Sequence, residues 1–379
     1  MNVAVALLSL VLCWLSLAGA KKAPQKAAED AKMPRAIIHI GPPKTGSSSV
    51  QSMLHSAENR MEGENTYWPK GENDKKSAMH QFTTDLAQDK QLKSVNQMGH
   101  FFNESRALGR NVLLSSEFFA WMPAHTIPRL KDMLQGFHVT IVAVYREYLS
   151  HMISKLGEDN KMYYGAGHHK PFSKHLMGLD QIGRTRDYMT TLGDWQQVFG
   201  KDALQIVDYY GAIAAGKSVP KVVLCEVAGV LCRTKEEAQA NVSDEKLLQQ
   251  VLTYFYQFFA VQGTGQWQPC ESDEENPKLI ELFSKAFKNR PSELGIPKLR
   301  SNLSVLVAHS TMWDAQLREE FGDAFVYGDS MANLRQAQSI HVEDVDFDKL
   351  RKYRQWTKLM RGVFENAKNL KLLCDRDTK

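Results

Sequence analysis

Residues 41–49, Gly-Pro-Pro-Lys-Thr-Gly-Ser-Ser-Ser, bring together residue types that bind phosphate. Gly41 and Gly46 allow the backbone to curl and to approach a ligand closely, and Lys44 adds a full positive charge. An apolar run precedes this segment and a helical pattern follows it, which predicts a strand, a tight loop and a helix N-terminus. The first N–H groups of a helix have no partner within it, and the helix dipole adds positive potential. The segment therefore predicts a phosphate-binding loop rather than a turn that merely connects two elements.

The order of residues in this loop argues against an ATPase or a kinase. In the nucleoside-triphosphate template G-x-x-x-x-G-K-[ST], the lysine follows the second glycine. Here Ser47 holds that position, and Lys44 lies three positions earlier. ATPases also hold Mg²⁺ with the hydroxyl after the lysine and with a downstream aspartate, and the later predicted strands supply no obvious aspartate of that kind. We expect a loop that binds phosphate without the metal of a kinase site.

A second pair of candidate phosphate ligands is Arg146 and Ser154. Arg146 ends a predicted strand, and Ser154 follows eight residues later, about two helical turns on. Arginine offers bidentate hydrogen bonds to phosphate, and serine adds a hydroxyl donor. The alternative is that Arg146 forms a surface ion pair with Glu147 or Glu158 while the serine lies on a solvated helix face.

Alternating strands and helices must position these groups. The apolar pattern predicts strands at residues 111–117 and 138–146 after the first strand, and helices at 46–57, 75–108 and 128–135. This alternation predicts an α/β fold: a three-layer sandwich with a central, mostly parallel sheet. Ligands of such sheets bind at the carboxyl ends of strands. Three polar clusters fall at such ends: Gly41–Ser49, Ser115–Glu117 and Tyr145–Ser154.

The loop resembles the 5′-phosphosulfate-binding loop of sulfotransferases, whose pattern is close to P-K-[TS]-G-[ST]-[ST]-[ST], and residues 43–49 match it throughout. A strand-end arginine with a serine eight residues later also occurs in that family, as Arg146 and Ser154 do here. Residues 187–200 look more loosely like the family's D-Y-x3-L-x2-W-x3-F-G segment. The likeness covers about residues 36–210 and implies the P-loop NTPase-like fold of sulfotransferases that use 3′-phosphoadenosine-5′-phosphosulfate (PAPS), in particular the Golgi and secretory carbohydrate branch.

The resemblance also implies a role for each matching residue. Lys44 is the expected cation at the bridging oxygen of PAPS, and Arg146 with Ser154 is expected to hold the 3′-phosphate. The expected partners are a nucleotide sulfate donor and a glycan or other hydroxyl acceptor, and no metal is required because lysine and arginine supply the positive charge. The 5′-phosphate is expected to lie in a cradle formed by Thr45, Gly46, Ser47, Ser48 and Ser49.

Sulfuryl transfer to a hydroxyl also needs a base. Glu117 is the first candidate because it closes a predicted strand beside the loop, although a structural ion pair with Lys44 would explain it equally well. His80 is the alternative base, or else a satisfied histidine on a partly apolar helix. We expect His39 and His151 to be structural.

The first residues have the features of a secretory signal. Residues 2–20 contain no charged side chain, and Ala18-Gly19-Ala20 has the small-x-small form of a signal-peptidase site. An uncleaved anchor is the alternative, but no lysine or arginine precedes the apolar run. We expect a cleaved signal at 1–20, a flexible lead-in at 21–35 and a location in the Golgi lumen or outside the cell. No later tract is long and apolar enough to span a membrane.

The remaining chain, residues 36–379, is expected to form one sulfotransferase-like domain with a motif-bearing part at 36–210 and a helical part at 211–379. In the helical part, helices are predicted at roughly 244–261, 276–288, 311–321 and 346–368. A net charge of +4 is mild and does not suggest a nucleic-acid-binding protein. Four cysteines remain after the signal, which predicts two disulfides: Cys225–Cys232, and Cys270–Cys374 by elimination. Buried free thiols are the alternative. N-glycosylation sequons occur at Asn103, Asn241 and Asn302.

The acceptor is expected over residues 155–186, which are polar and rich in histidine and lysine. The segment is either a mobile lid that admits an anionic glycan or a solvated insertion. The leading hypothesis is a lumenal PAPS-dependent sulfotransferase acting on carbohydrate. The competing functions are a kinase or other phosphate-binding enzyme on a P-loop scaffold, and a catalytically inactive secreted binding protein of the same fold.

Overall fold

The computed structural model describes residues 33–56, 61, 63–69, 77–88, 93–162, 188–232, 267–269, 281–282, 298–300, 303–340, 343–345, 352, 354–371 and 373–375. Its strands are β1 (Arg35–Gly41), β2 (Thr66–Tyr67), β3 (Asn111–Ser115), β4 (His138–Tyr145), β5 (Leu204–Asp208), β6 (Trp267–Pro269), β7 (Lys298–Arg300), β8 (Phe325–Val326), β9 (Glu343–Val345) and β10 (Leu373–Asp375). Its helices are α1 (Ser47–Ser56), α2 (Ser77–Ala87), α3 (Lys93–Ala107), α4 (Ile127–Met133), α5 (Tyr148–Met162), α6 (Tyr188–Phe199), α7 (Tyr209–Ala214), α8 (Ser304–Phe321), α9 (Ser330–Ser339) and α10 (Arg354–Asn369). Short 3-10 helices lie at Glu117–Trp121, Ala124–Thr126, Lys201–Ala203 and Gly322–Ala324, and a helical turn at Val219–Lys221 leads into a π-helix at Val222–Val227.

Within the described residues, six strands form a central sheet in the order β2-β3-β1-β4-β5-β8. Every neighbouring pair in this sheet is parallel. Strand β1 leads into residues 41–49, which we call the glycine-rich loop, and it lies between β3 and β4. All the carboxyl ends therefore meet at one edge, and the end of β1 is flanked by the ends of β3 and β4.

Helices cover both faces of the sheet because the strands are apolar on both sides. Ile38 and Ile40 of β1 point into a core shared with Phe82, Phe102 and Trp195 of α2, α3 and α6. Ile37 points to the opposite face, where a second core contains buried residues of α1 and the π-helix. Fully burying one such apolar side chain contributes roughly 1.5–3 kcal/mol. The predicted α/β fold class, a central parallel sheet between two helical layers, is confirmed.

Part of the chain beyond residue 210 belongs to the same sheet. β8 pairs with β5, and α8 packs its buried Leu306 against Leu149 and Met152 of α5. Asp208, fully buried at the end of β5, accepts hydrogen bonds from Arg318 of α8 at 2.5 Å and from Asn333 of α9 at 3.1 Å. These contacts tie the 303–340 region to the strands that carry the sequence motifs.

The structure corrects several predicted element bounds. The predicted helix at 75–108 is two helices, α2 and α3, and Ser94 of the second donates to Asp85 of the first at 2.5 Å. The predicted strand at 111–117 ends at Ser115, because the side chain of Ser116 caps the following 3-10 helix by accepting from the N–H of Phe118 at 3.2 Å. The C-terminal helices predicted at 311–321 and 346–368 are observed at Ser304–Phe321 and Arg354–Asn369. The helix predicted at 244–261 and nearly all of that predicted at 276–288 lie outside the described residues.

The predicted Cys225–Cys232 disulfide is present, with the two Cα atoms 4.6 Å apart. Cys270 lies outside the described residues, so its pairing with Cys374 stays a prediction. Among the sequons, Asn103 is exposed on α3, whereas Asn241 and Asn302 lie outside the described residues, as do the predicted signal and most of the lead-in. Within the described part of the chain, no helix is long and apolar enough to cross a membrane.

Candidate functional site

The glycine-rich loop is a tight structure held by its own hydroxyl groups. Gly41 at φ 80° and Gly46 at φ 94° adopt the left-handed conformation that glycine permits, and Lys44 also has a positive φ, of 66°. The hydroxyls of Thr45 and Ser47 donate to the carbonyl of Pro42 at 2.6 and 3.1 Å. Since both bonds converge on one carbonyl, the loop closes on itself at the end of β1.

The helix after the loop begins in the arrangement that binds anions. The backbone N–H groups of Ser49 and Val50 donate to the carbonyl of Gly46 at 2.9 and 3.1 Å, which starts the hydrogen-bonding ladder of α1. The first turn of α1 contains no acidic side chain. The positive end of the helix dipole therefore faces the loop without an acidic side chain in its own first turn to neutralise it.

Arg146 lies directly beside this loop, although a hundred residues separate the two in the sequence. It follows the last residue of β4, and its guanidinium Nη1 donates to the backbone carbonyl of Lys44 at 2.7 Å. The guanidinium also donates from Nε to the hydroxyl of Tyr210 at 3.4 Å and lies 5.2 Å from the ring centre of Tyr209. The structure thus brings the guanidinium of Arg146 to the backbone of Lys44, the two residues for which the sequence predicts phosphate binding.

The neighbouring carboxylate of Glu147 serves a different purpose from the predicted alternative of an ion pair with Arg146. It is buried at the start of α5, where its oxygens accept from the N–H groups of Leu149 and Ser150 at 2.9 and 2.7 Å and from the hydroxyl of Ser310. Its negative charge is therefore directed at a helix N-terminus. Ser154 lies about two turns further along α5 and is half-buried, and its role as a ligand of the 3′-phosphate stays a prediction.

His151 of α5 holds the loop through a hydrogen bond. Its Nε2 lies 2.8 Å from the carbonyl of Pro43, and the ring is buried. Burial lowers its pKa from 6.5 to about 4, the hydrogen bond to Pro43 opposes that change, and the nearby charges of Arg146, Lys155 and Lys44 lower it further. The ring is therefore neutral at pH 7 and donates from Nε2 to the carbonyl, in line with the structural role expected for it.

His39 is a second buried neutral histidine, located in β1 before the loop. Its Nδ1 lies 2.8 Å from the hydroxyl of Ser115 in the neighbouring strand, and burial lowers its pKa from 6.5 to about 4. The ring therefore links β1 to the carboxyl end of β3. It has the structural role that the sequence predicts.

Because His39 and His151 are buried in the neutral form, we expect the protein to lose stability in mild acid. Each has a pKa of about 4 in the folded chain and an ordinary value of 6.5, so unfolding takes up protons once the pH falls below about 6.5. The stabilisation is complete above that pH and is lost as the pH falls toward 4, by about 1.4 kcal/mol per pH unit for each histidine. Urea unfolding between pH 7 and 5 measures this slope. His39→Gln should remove about half of the histidine contribution, and a free energy of unfolding as high at pH 5 as at pH 7 would contradict the assignment.

Glu117 lies against the start of the loop, but its local structure differs from the prediction. It opens the 3-10 helix after β3 rather than closing a strand. A Cβ atom placed on Gly41 would lie 3.0 Å from the Cα of Glu117, so the two backbones are packed together. The half-buried side chain of Glu117 therefore starts beside the loop, and its role as a base remains a prediction.

His80, the alternative base, is exposed on α2. Its ring packs edge-on against the ring of Phe118, with 3.7 Å between the centroids. Phe118 directly follows Glu117 in the chain, so the two candidate bases, Glu117 and His80, lie in the same part of the structure. The contact with Phe118 gives His80 a packing role that is consistent with the structural alternative.

Sequence reasoning missed the tyrosines around Arg146. Tyr209 and Tyr210 follow β5, and the hydroxyl of Tyr188 accepts from the backbone N–H of Arg146 at 3.2 Å. Tyr209 and Tyr210 could have been predicted as site residues, because they directly follow a recognisable strand and ligands of parallel sheets bind at the carboxyl ends of strands. Among the residues that the structure describes, no cluster of three or more histidine, cysteine or acidic side chains could hold a metal ion.

Comparisons with known proteins add little to this geometry. No protein-family model and no curated protein match the chain. A sulfotransferase structure from Alicyclobacillus acidocaldarius is 14% identical with a TM-score of 0.35, over 59% of this chain and 91% of that chain. A structure of the PezAT chromosomal toxin-antitoxin system of Streptococcus pneumoniae is 18% identical with a TM-score of 0.19, over 53% and 90% of the respective chains. Likeness at this level carries no argument about activity, which must be argued from the site.

Proposed function

We propose that this protein is a sulfotransferase that transfers a sulfuryl group from PAPS to a hydroxyl group of a carbohydrate acceptor. The observation that carries the proposal is the hydrogen bond of 2.7 Å between the Arg146 guanidinium and the Lys44 carbonyl. It joins the glycine-rich loop, suited to one phosphate, to an arginine suited to a second phosphate. A donor with phosphate groups at both its 5′ and 3′ positions matches a site with two adjacent anion-binding groups.

In the proposed reaction, each group in the loop has a distinct task. The backbone N–H groups at the start of α1 and the side chains of Thr45, Ser47, Ser48 and Ser49 hold the 5′-phosphate. Lys44 stabilises the charge that develops on the bridging oxygen as the sulfur–oxygen bond to that phosphate breaks. Arg146, with Ser154, holds the 3′-phosphate. The leaving product is 3′-phosphoadenosine-5′-phosphate.

The acceptor hydroxyl attacks the sulfur from the opposite side, and a base takes its proton. We assign this task to Glu117, whose backbone packs on Gly41 at the start of the loop. The new bond joins the acceptor oxygen to sulfur, and the proton passes to the carboxylate. A neutral His151 donates to the carbonyl of Pro43 and so holds the loop without competing for the acceptor proton.

The proposed reaction requires no metal ion, and a titration tests this directly. Isothermal calorimetry should show binding of 3′-phosphoadenosine-5′-phosphate in the presence of EDTA, and much weaker binding of ATP with Mg²⁺. Preference for ATP with Mg²⁺ would instead support the kinase alternative. Binding of neither nucleotide would favour an inactive secreted binding protein of the same fold.

Replacing Arg146 by alanine should weaken binding of 3′-phosphoadenosine-5′-phosphate by a few kcal/mol, because a bidentate charged partner of a phosphate is lost. Calorimetry with nucleotides that carry or lack the 3′-phosphate measures the effect, which should vanish for the latter. Arg110→Ala is the matched control, since Arg110 precedes β3 at the opposite edge of the sheet. Equal losses with and without the 3′-phosphate would mean that Arg146 only maintains the loop.

We also propose that residues 1–20 are a cleaved signal, that residues 36–379 form one domain and that the enzyme acts in the Golgi lumen or after secretion. The Cys225–Cys232 disulfide supports this location, because such bonds persist in oxidising compartments. Mass spectrometry of the protein secreted from cultured cells tests it through the mature N-terminus and the oxidation state of this pair.

A further inference from the structure

Beside the candidate site lies a cluster of aromatic rings with a cation, which we call the aromatic platform: His80, Phe118, Trp121 and Lys155. The ring of Phe118 contacts His80 edge-on at 3.7 Å and Trp121 edge-on at 5.4 Å between centroids. The ammonium group of Lys155 lies 5.5 Å from the centre of the Trp121 ring. Three elements, α2, the 3-10 helix at Glu117–Trp121 and α5, thus contribute to one continuous surface.

The platform adjoins the groups assigned to the reaction on two sides. Phe118 directly follows Glu117, and Lys155 directly follows Ser154. The charge of Lys155, like those of Arg146 and Lys44, is close enough to lower the pKa of the buried His151. A molecule on the platform would therefore lie next to the predicted base, within a region of positive potential.

The exposure of Trp121 is not required by the packing of its own helix. Phe119 and Ala120 of the same 3-10 helix are the residues that face the core, at 0% and 3% exposure, whereas Trp121 is 43% exposed. Removing apolar surface from water is favourable, so a half-exposed tryptophan in contact with a cation and with the ring of Phe118 offers unused binding area. Indole rings combine a broad apolar face with a preference for cations.

We propose that the aromatic platform binds the acceptor through one anionic sugar ring that carries a carboxylate or a sulfate group. This inference rests on the function proposed above and names the acceptor class of that same site. The apolar C–H face of a pyranose stacks on Trp121, and Lys155 pairs with the anionic substituent. His80 and Phe118 form the side wall next to Glu117, so the ring is presented with a hydroxyl toward the base.

The combination of ring and cation favours a sugar over a peptide. The Lys155 ammonium lies over the Trp121 ring, 5.5 Å from its centre, so a flat pyranose that stacks on the exposed part of the indole brings its substituents beside this charge. A peptide acceptor would need partners for its backbone, whereas the contacts of the platform come from rings and an ammonium group. The proposed acceptor is therefore an anionic glycan, and the test distinguishes it from an acidic peptide.

The test is calorimetric titration of the whole protein, saturated with 3′-phosphoadenosine-5′-phosphate, with a heparin octasaccharide and with neutral cellooctaose. Trp121→Ala and Lys155→Ala should each weaken binding of the heparin octasaccharide about tenfold, the scale of one aromatic or cation contact. The Lys155→Ala loss should shrink as salt is raised. Leu108→Ala and Lys201→Ala are matched controls, since both residues are exposed and lie near the amino ends of β3 and β5; they should bind like the wild type.

The outcomes separate this inference from the proposed function. Normal nucleotide binding with octasaccharide binding that neither variant changes would overturn the platform and leave the sulfotransferase proposal standing. Equal affinity for cellooctaose, unaffected by Lys155→Ala, would overturn the requirement for an anionic sugar. Binding of an acidic tyrosine-containing peptide in place of the octasaccharide would overturn the glycan assignment. Loss of nucleotide binding in the wild type, with octasaccharide binding that still depends on Trp121, would contradict the proposed function alone.

Discussion

Replacing Lys44 by alanine is expected to lower kcat for transfer from PAPS at least about a hundredfold, the scale of losing one preorganised charge-stabilising donor. The backbone of Lys44 is fixed by the loop and by Arg146, which donates to its carbonyl at 2.7 Å. Because the substitution removes only the side chain, the backbone cradle for the 5′-phosphate remains. The affinity for 3′-phosphoadenosine-5′-phosphate should therefore change much less than kcat. A radiolabelled sulfate-transfer assay together with calorimetry measures the two effects separately.

Lys201→Ala provides the control, because Lys201 is exposed and pairs with Asp323 at 2.8 Å beside the amino end of β5. It should leave kcat unchanged. Undiminished turnover of Lys44→Ala would show that the loop is not the site of sulfuryl transfer. A lower melting temperature together with a proportionate loss of nucleotide binding would show that Lys44 stabilises the folded loop rather than the transition state.

Replacing Glu117 by glutamine is expected to lower turnover by roughly a hundredfold or more, within the range for loss of a general base. Glutamine keeps the shape of the side chain and most of its hydrogen bonds, but it cannot accept the acceptor proton. Nucleotide affinity and melting temperature should barely change, since the backbone of Glu117 still packs on Gly41. The acidic limb of the kcat–pH profile should vanish, because it reports the titration of that carboxylate.

His80→Gln is the matched variant from the same neighbourhood and should keep the acidic limb. Activity in Glu117→Gln with none in His80→Gln would reverse the two roles. If Glu117→Gln mainly lowers the melting temperature, the carboxylate is an ion-pair partner of the loop, and the base must be sought elsewhere.

Three strands of the sheet, β1, β3 and β4, could be predicted from the sequence because they are short apolar runs that lead into glycine, serine or arginine. With two residues each, β2 and β8 are too short to show such a pattern. Strands buried on both faces read as continuous hydrophobic segments, as residues 36–40 and 141–145 do. The loop at 41–49 and Arg146 were predictable for the same reason, since their residue types and positions after strands indicate anion binding. The exact neighbours of Arg146 depend on packing between distant segments, which no local pattern encodes.

The corrected elements show where local patterns fail. The predicted strand at 111–117 continued through two serines to Glu117, whereas the observed strand ends at Ser115. The side chain of Ser116 competes locally for the backbone by capping the 3-10 helix that follows. The division between α2 and α3 was missed because apolar anchors continue through both helices. Contacts between the two helices, such as that of Ser94 with Asp85, are not encoded in that pattern.

The contacts of Asp208 and Glu147 mean that the motif-bearing half of the chain is not a separable module. A fragment ending at residue 210 would keep the loop, Arg146 and Glu117, but it would lose β8 from the sheet edge. It would also leave Asp208 without Arg318 and Asn333, and Glu147 without the hydroxyl of Ser310. Buried carboxylates stripped of such partners are costly. The 303–340 region must therefore be present together with the motif-bearing half, because it completes the strand and helix ends at the site.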